Sequence, residues 1–271
     1  MLALALAVAA AAAPSPSAHA AAVHLARDIG SRPAASATEL RAHRWVRARF
    51  ERAGLETSFV RFTVPGKGRS RDVVAVHRGR RRCLKILMAH ADSVDAGPGA
   101  VDNASGVGVL VALAARLDAL NTPCDVWLVA TGAEERPYTG ASDHLGALAL
   151  VRHLRRRGLT GRLRYALSLD MVGRGRRFWL RSPARRVRRG VEREVLAAGR
   201  ARDVRLRWLR DSGSGNSDHR EFALAGLPAL VMETWGGTDA CYHSACDRWQ
   251  RLQPEALRRA QAIAESVLRR G

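Results

Sequence analysis

Side chains that can bind metal ions follow the predicted strands of this sequence. Two of them are imidazoles and the others are carboxylates. Imidazole nitrogens and carboxylate oxygens together suit Zn²⁺, with Mn²⁺ or Co²⁺ as substitutes. A carboxylate in such a site can also act as a general base. The candidate residues are His90, Asp92, Asp102, Glu134, Glu135, Asp170 and His243.

Each of these residues has an ordinary explanation when it is considered alone. His90 and Asp92 would usually form a surface pair, Glu134-Glu135 would be a solvated turn, and Asp170 would be a helix cap. Their positions argue otherwise, because the candidates follow predicted strands or lie in the loops at the same ends. In open α/β sheets, functional groups collect beyond the carboxyl ends of the strands. The set therefore predicts one metal site at one edge of a sheet.

An alternation of apolar strands with helices predicts the elements that position these residues. Continuous apolar runs such as 84–89 indicate buried strands. Ser36-x-x-Glu39 is a capping box that opens a helix ending at Gly54. We expect an α/β fold: a single domain with a central mixed, mostly parallel sheet sandwiched between helices. The predicted strands are 57–64, 72–77, 84–89, 125–131, 163–169, 178–180, 204–208 and 229–234, and the later helices are 105–120, 145–156, 187–198, 218–225 and 254–270.

The charge of the chain does not indicate a nucleic-acid partner. The formal net charge is +20, but only two of the 45 basic residues are lysines, which points to a compositional bias toward arginine. The arginines are spread along the whole sequence, and aromatic residues, which would stack on bases, make up only 5%. We expect no specific nucleic-acid binding and, by default, a monomer.

The N-terminal segment predicts export. Residues 1–13 are apolar and alanine-rich, and Ala18-His19-Ala20 fits a signal-peptide cleavage site. The run is too short to span a bilayer, so no transmembrane segment is expected. No Arg or Lys precedes it, so a disordered terminus remains the alternative. We divide the chain into 1–20, a signal peptide or disordered N-terminus, and 21–271, a catalytic domain of a secreted or extracytoplasmic protein.

Four cysteines in an exported protein favour disulfides. We predict a bridge between Cys241 and Cys246, which flank His243; the alternative is that their thiols bind metal beside it. Cys83 and Cys124 are either a second pair or two buried thiols.

Several short motifs resemble those of the co-catalytic dizinc aminopeptidases, the secreted bacterial leucyl aminopeptidase-like metallopeptidases of peptidase clan MH. The resemblance covers nearly the whole chain after the N-terminal segment. It implies a zinc-dependent aminopeptidase that hydrolyses N-terminal residues from peptides with a free N-terminus. The matching stretches are HADS (90–93), GAVDNASG (99–106), GAEE (132–135), LDMVG (169–173), SDH (217–219) and YH (242–243).

The resemblance implies two Zn²⁺ ions per chain, or Mn²⁺ or Co²⁺ in their place. His90, Asp102 and Asp170 would bind one ion. Asp102, as the bridging ligand, would bind the other together with Glu135 and His243. A metal-bridging hydroxide would then be the nucleophile.

The resemblance also implies roles around the metals. Glu134 would be the general base, and Tyr242 would support the oxyanion. Asp92 would hydrogen-bond His90 from outside the ligand shell, and Ser217 would brace the other side. The peptide bond between Asp102 and Asn103 would be cis.

One departure concerns Asn216, because some secreted members have an arginine just before Ser-Asp-His, near the substrate's amine end. Other functions share the scaffold. A glutaminyl cyclase-like enzyme would use a single zinc, and a non-catalytic binding domain would lose ligands or the base. A carboxypeptidase or dipeptidase would use the same metal chemistry, and the preferred N-terminal residue is not predicted.

Overall fold

Apolar strands from the middle of the chain form the centre of one sheet in a computed structural model, which describes residues 15–135, 144–184, 188–234 and 239–271. Within these ranges the strands are β1 (Glu56–Val64), β2 (Gly68–His77), β3 (Arg81–His90), β4 (Cys124–Thr131), β5 (Leu163–Leu169), β6 (Phe178–Ser182), β7 (Leu206–Arg210) and β8 (Ala229–Glu233). Their order is β1-β2-β4-β3-β5-β8-β6-β7. Strands β4, β3, β5 and β8 run parallel, β1 and β2 extend one side in antiparallel pairs, and β6 pairs antiparallel with β8 and parallel with β7.

Helices cover both faces of this sheet. The described helices are α1 (Ala18–Val23), which continues as a π-helical segment (His24–Ile29), α2 (Ala37–Arg52), α3 (Ser105–Ala114), α4 (Leu117–Leu120), α5 (Leu145–Arg156), α6 (Arg189–Arg200), α7 (His219–Leu224) and α8 (Pro254–Arg269). Alternate strand residues face two separate cores. Helices α1, α2, α3, α6 and α8 pack on one core and α5 and α7 on the other, which confirms the predicted α/β architecture.

Two predicted elements differ in extent from the observed ones. The helix predicted over 105–120 ends at Ala114, where a turn closed by a hydrogen bond from Arg116 N to Leu113 O interrupts it. Leu117 and Leu120 then return to the core in α4. The edge strand predicted over 204–208 lies at Leu206–Arg210. A shift of two residues keeps the same side chains on the same face.

Helix α1 packs closely on α3. Ala18, Ala21 and Ala22 are buried, and a Cβ atom at Gly108 of α3 would lie 2.4 Å from the carbonyl oxygen of Ala18. The apolar run at 1–13 lies outside the described residues, so the signal peptide stays a prediction. A division of the chain after Ala20 would fall within α1.

Both pairs of cysteines form disulfides. Cys83 at the start of β3 is bonded to Cys124 at the start of β4, with Cα atoms 4.8 Å apart. Cys241 is bonded to Cys246, which confirms the predicted bridge and settles the open alternative for Cys83 and Cys124. Among the helices described, none is both long enough and apolar enough to span a bilayer.

We predict that Gly108→Ala lowers the free energy of unfolding by about 1–3 kcal/mol, the usual effect of overpacking a core. The reason is that the new methyl group meets the backbone of α1, which must move away. Urea denaturation of the purified protein measures the change.

Gly190→Ala is the matched control, since a Cβ at Gly190 in α6 meets nothing within 4 Å. It should be neutral, or stabilise the helix by up to about 1 kcal/mol. Equal stability of Gly108→Ala and the wild type would contradict the packing of α1 on α3.

Candidate metal centre

The ends of three neighbouring parallel strands supply most of the candidate ligands. His90 is the last residue of β3, Glu134 and Glu135 follow β4 by a short turn, and Asp170 follows β5 directly. Asp102 lies in the π-helical turn Ala100–Ala104 that precedes α3. His243, the remaining predicted ligand, lies in the segment after β8. The sheet therefore brings these distant parts of the sequence to one edge.

Asp102 lies between two histidines. Its Oδ1 atom is 3.1 Å from His90 Nε2, and its Oδ2 atom is 3.3 Å from His243 Nε2. His90 Nε2 is also 3.5 Å from Asp170 Oδ1, and His243 Nε2 is 2.9 Å from Glu135 Oε2. Two sets of three ligand atoms thus share one carboxylate, and in each set the atoms lie within 4.8 Å of one another.

The donor atoms of these sets fit divalent cations. Glu135 Oε1 and Asp170 Oδ1 are buried, and neither has a hydrogen-bond partner among the described residues. Buried carboxylate oxygens are normally hydrogen-bonded or bound to a metal. Burial, followed by the negative charge of Asp102, raises the pKa of Glu135 well above its usual value. A neighbouring cation would oppose that shift, because it favours the ionised carboxylate.

Hydrogen bonds from the two histidines hold Asp102 ionised. Burial raises the pKa of Asp102, but the bonds from His243 and His90 outweigh that effect and place the pKa below its usual range. The peptide bond between Asp102 and Asn103 is cis, as predicted. The Asn103 side chain donates to Leu169 O at 2.9 Å and accepts from Gly106 N at 2.9 Å, so it ties the Asp102 turn to β5 and α3.

Asp92 supports both the first histidine and the pair of glutamates. Its carboxylate accepts hydrogen bonds from Glu134 N at 3.0 Å and Glu135 N at 3.1 Å. Its Oδ1 atom lies 3.7 Å from His90 Nδ1, and its backbone oxygen is 3.3 Å from the same nitrogen. Ala133 has a positive φ of 51°, which turns the chain between β4 and the two glutamates. The side chain of Asp92 therefore holds the turn that carries Glu134 and Glu135 and also lies beside the imidazole ring of His90.

Glu39, on helix α2, contacts the same turn from the side of the sheet that α2 covers. Ser36 Oγ accepts from Glu39 N at 3.1 Å, so the predicted N-cap forms. The Glu39 carboxylate does not return to Ser36; it accepts from Ala35 N, Ser70 Oγ and, at 3.2 Å, Ala133 N. Burial, followed by the charge of Asp92, raises the pKa of Glu39 to about 8. A residue expected to cap a helix is thus a buried brace for the site.

Glu134 has a partner that the sequence did not reveal. His144 Nε2 lies 3.0 Å from Glu134 Oε1, and both side chains line the same cavity. His144 immediately precedes α5 and has a positive φ of 53°. A lone histidine at a helix start carries no signal for such a contact.

Tyr242 and Ser217 lie on different sides of the ligands. The Tyr242 ring stacks on His243 with 3.7 Å between the ring centroids, and it lines the cavity. Burial, followed by the charge of Asp102, raises the pKa of Tyr242, so its hydroxyl keeps its proton. Ser217 Oγ is 3.0 Å from Ser168 Oγ on β5, two residues before Asp170. Ser217 thus contacts the strand beneath the site.

Two buried charged residues hold the loops that carry the ligands. Arg32 is fully buried and donates to five backbone oxygens, including Ala91 O at 2.7 Å and Gly99 O at 3.0 Å. Asp247 accepts from Val101 N at 2.9 Å and from Asp102 N at 3.0 Å. Burial lowers the pKa of Arg32 to about 10 and raises that of Asp247 to about 6. Both were missed because a charged loop residue is usually exposed.

The candidate ligands open into a cavity of about 240 Å³. Besides the five candidate ligands, its wall contains Glu134, His144 and Tyr242. Four further residues complete it: Met171, Arg181, Asn216 and Glu233.

Comparison with known proteins identifies a family and several similar proteins. The model of "Peptidase family M28" matches residues 72–268. Aminopeptidase YwaD of Bacillus subtilis is 30% identical over 194 residues, which are 68% of this chain and 40% of that protein. Leupeptin-inactivating enzyme 1 of Streptomyces exfoliatus is 25% identical over 245 residues, which are 82% of this chain and 53% of that protein. This chain therefore spans about half or less of these curated relatives.

A solved structure shares the fold. BSAP, a zinc aminopeptidase from Bacillus subtilis, superposes with a TM-score of 0.81 at 16% identity. The superposition covers 92% of this chain and 93% of that one.

We predict that Asp247→Asn weakens zinc binding by about 10- to 100-fold, the usual effect of removing a residue that orients a ligand. Both carboxylate oxygens of Asp247 accept hydrogen bonds from Val101 N and Asp102 N. In the variant, the side-chain NH₂ group of asparagine would replace one of these oxygens and face a backbone N–H group, so one hydrogen bond would be lost. Competition with a chromogenic chelator measures the affinity.

Asp95→Asn is the control, because Asp95 is exposed in the loop after β3. It should bind zinc as the wild type does. Unaltered affinity in both variants would show that Asp247 does not position Asp102.

Proposed function

The chain belongs to peptidase family M28, and from that membership and its site we propose that it is a zinc-dependent aminopeptidase. It would release the N-terminal residue from peptides that have a free N-terminus. The observation that carries this proposal is the position of Asp102, whose two oxygens face two different histidines.

We propose that His90, Asp102 and Asp170 hold one zinc ion and that Asp102, Glu135 and His243 hold the second. When bound, a pair of zinc ions polarises the scissile carbonyl and lowers the pKa of a water molecule toward neutrality. The protein holds three of these ligands through the backbone: Glu135 N donates to buried Asp92, Asp102 N donates to buried Asp247, and buried Arg32 donates to the carbonyl of Ala91, which follows His90.

Glu134 is the proposed general base. Its side chain lines the cavity beside the ligands, and Asp92 holds its backbone rather than its carboxylate. A carboxylate in this position can accept and return a proton. It would take the proton from the attacking water and later give it to the leaving amine. His144, 3.0 Å from Oε1, fixes the orientation of this carboxylate.

Tyr242 is the proposed oxyanion donor. Its hydroxyl stays protonated, and its ring is held against His243. A phenol beside the ligand set can donate to the oxygen on which charge develops. The two disulfides support an oxidising, extracytoplasmic location.

We expect the zinc-loaded protein to hydrolyse amino-acid 4-nitroanilides and to be inactive toward their N-acetylated forms and after chelator treatment. The stoichiometry should be about two ions per chain, because two ligand sets share Asp102. Elemental analysis and a spectrophotometric assay measure both.

The other functions on this scaffold give different results. Release of C-terminal residues instead would indicate a carboxypeptidase. Saturation at one ion with cyclisation of N-terminal glutamine would indicate a cyclase, and zinc binding without turnover of any peptide would indicate a binding domain.

A second prediction separates the adjacent glutamates. Glu134→Gln should keep its zinc content and reduce turnover by about 10²- to 10⁴-fold, the usual contribution of general acid–base catalysis. Glu135→Gln should weaken one metal site, because it removes a ligand carboxylate 2.9 Å from His243. Its activity should recover in part when zinc is added.

The two variants serve as controls for each other, since both make the same chemical change one residue apart. Zinc content and turnover are measured for each. Loss of zinc from Glu134→Gln with retention in Glu135→Gln would reverse the two assignments, and full activity of both would exclude the proposed site.

A further inference from the structure

One part of the cavity wall has ionic groups that the proposed reaction does not use. Glu233 is the last residue of β8, and Arg181 is on the neighbouring strand β6. In the antiparallel pair, Trp179 lies opposite Glu233 and Arg181 lies opposite Val231. Arg181 and Glu233 are therefore diagonal neighbours on one face of the sheet, and both line the cavity.

Arg181 is held between two carboxylates. Its Nη1 atom is 3.2 Å from Glu233 Oε1, and its Nε atom donates to Asp211 Oδ1 at 2.7 Å. Asp211 Oδ2 in turn lies 3.0 Å from His219 Nε2. The side chain of Asp211 is fully buried, and that of Arg181 is 21% exposed. Asp211 thus fixes the side chain of Arg181, and Arg181 in turn holds the carboxylate of Glu233 at the cavity wall.

Among the described residues, the charges around Glu233 do not balance. One guanidinium serves two carboxylates, and the additional partner, His219, contacts Asp211 rather than Glu233. Asp170, also a carboxylate, directly follows β5, which is the parallel neighbour of β8 in the sheet. Glu233 is 8% exposed, lines the cavity and, within the described ranges, shares its one cationic partner with Asp211, so it is suited to a second cation.

The position of Glu233 limits what that cation can be. Asp170, a proposed metal ligand, donates its backbone N–H to Met232 O at 3.0 Å. Glu233 is the next residue after Met232 and therefore lies close to Asp170 along the sheet edge. In a peptide bound for cleavage of its first bond, the α-amine is one carbon away from the scissile carbonyl. An amine in that place would therefore lie near both Asp170 and Glu233.

We propose that Glu233 binds a primary ammonium group of the substrate and that Arg181 positions it. This inference rests on the proposed aminopeptidase function and names how the free N-terminus is recognised. The ammonium has two possible sources, the α-amine of any substrate or the side chain of an N-terminal lysine. The location beside Asp170 favours the α-amine.

The test uses zinc-loaded Glu233→Gln with leucine and lysine 4-nitroanilides. For an α-amine contact, KM for both substrates rises by about 10- to 100-fold, the worth of a charge-assisted hydrogen bond, with kcat little changed. For a side-chain contact, KM rises for the lysine substrate alone. An unchanged KM for both substrates overturns the proposal.

A binding measurement tests the same contact without catalysis. Calorimetry compares L-leucinol with 4-methyl-1-pentanol, which has the same carbon skeleton but lacks the amine. The wild type should prefer leucinol, and Glu233→Gln should lose most of that preference. Retention of the full preference in the variant would assign amine binding to other groups and overturn the α-amine contact.

Two further variants control for folding and charge. Glu56→Gln removes an exposed carboxylate, 77% accessible, on the first strand, and should match the wild type. Glu233→Asp keeps the charge but shortens the side chain, so its KM should lie between those of the wild type and Glu233→Gln. If Glu233→Gln does not fold, Glu233→Asp replaces it in the test, and a wild-type KM in Glu233→Asp then counts against the proposal. Failure of the wild type to hydrolyse any substrate would reject the proposed function, whereas the leucinol comparison would still test Glu233.

Discussion

Like charges held close together govern this structure. Four carboxylates, those of Asp102, Glu134, Glu135 and Asp170, line one cavity, and each of these residues is no more than 8% exposed. Repulsion between such groups is strong where the effective dielectric constant is low. Fully buried Arg32 offsets part of it, since its guanidinium remains charged at neutral pH and acts on Asp92, Asp247, Asp102 and Glu135. The same side chain closes the loops around Ala91 and Gly99, so charge compensation and loop geometry come from one residue.

The supporting hydrogen bonds reach the ligands through the backbone. Asp92 and Glu39 accept from the turn at 133–135, and Asp247 accepts from the turn at 101–102. Backbone donors fix the direction in which a following side chain leaves the chain and leave its carboxylate oxygens unoccupied. At Glu135 this arrangement leaves Oε1 without a hydrogen-bond donor among the described residues.

The predictable part of the site is the part that depends on strand ends. His90, Glu134, Glu135 and Asp170 were found because a short apolar run predicts a buried strand, and the residue after it lies at the sheet edge. Burial of a loop charge depends on distant packing and has no local pattern: Asp92 and Asp95 are three residues apart, yet one is fully buried and the other exposed. Helix α1 shows the same limit. Its alanines suit a signal-peptide cleavage site as well as a close contact with Gly108, and the contact depends on a partner helix that the local sequence does not reveal.

His243 differs from the other proposed ligands in what holds it. Its side chain is 29% exposed, against 12% or less for His90, Asp102, Glu135 and Asp170, and it lies in a loop rather than at a strand end. The chain restrains that loop by other means: a disulfide joins Cys241 to Cys246, and Asp247 ties its far end to the Asp102 turn. The sheet does not position this histidine directly, so the disulfide and the buried carboxylate of Asp247 restrain it instead. The second ligand set therefore depends on the integrity of one loop, whereas the first is built into the sheet and the adjoining turn.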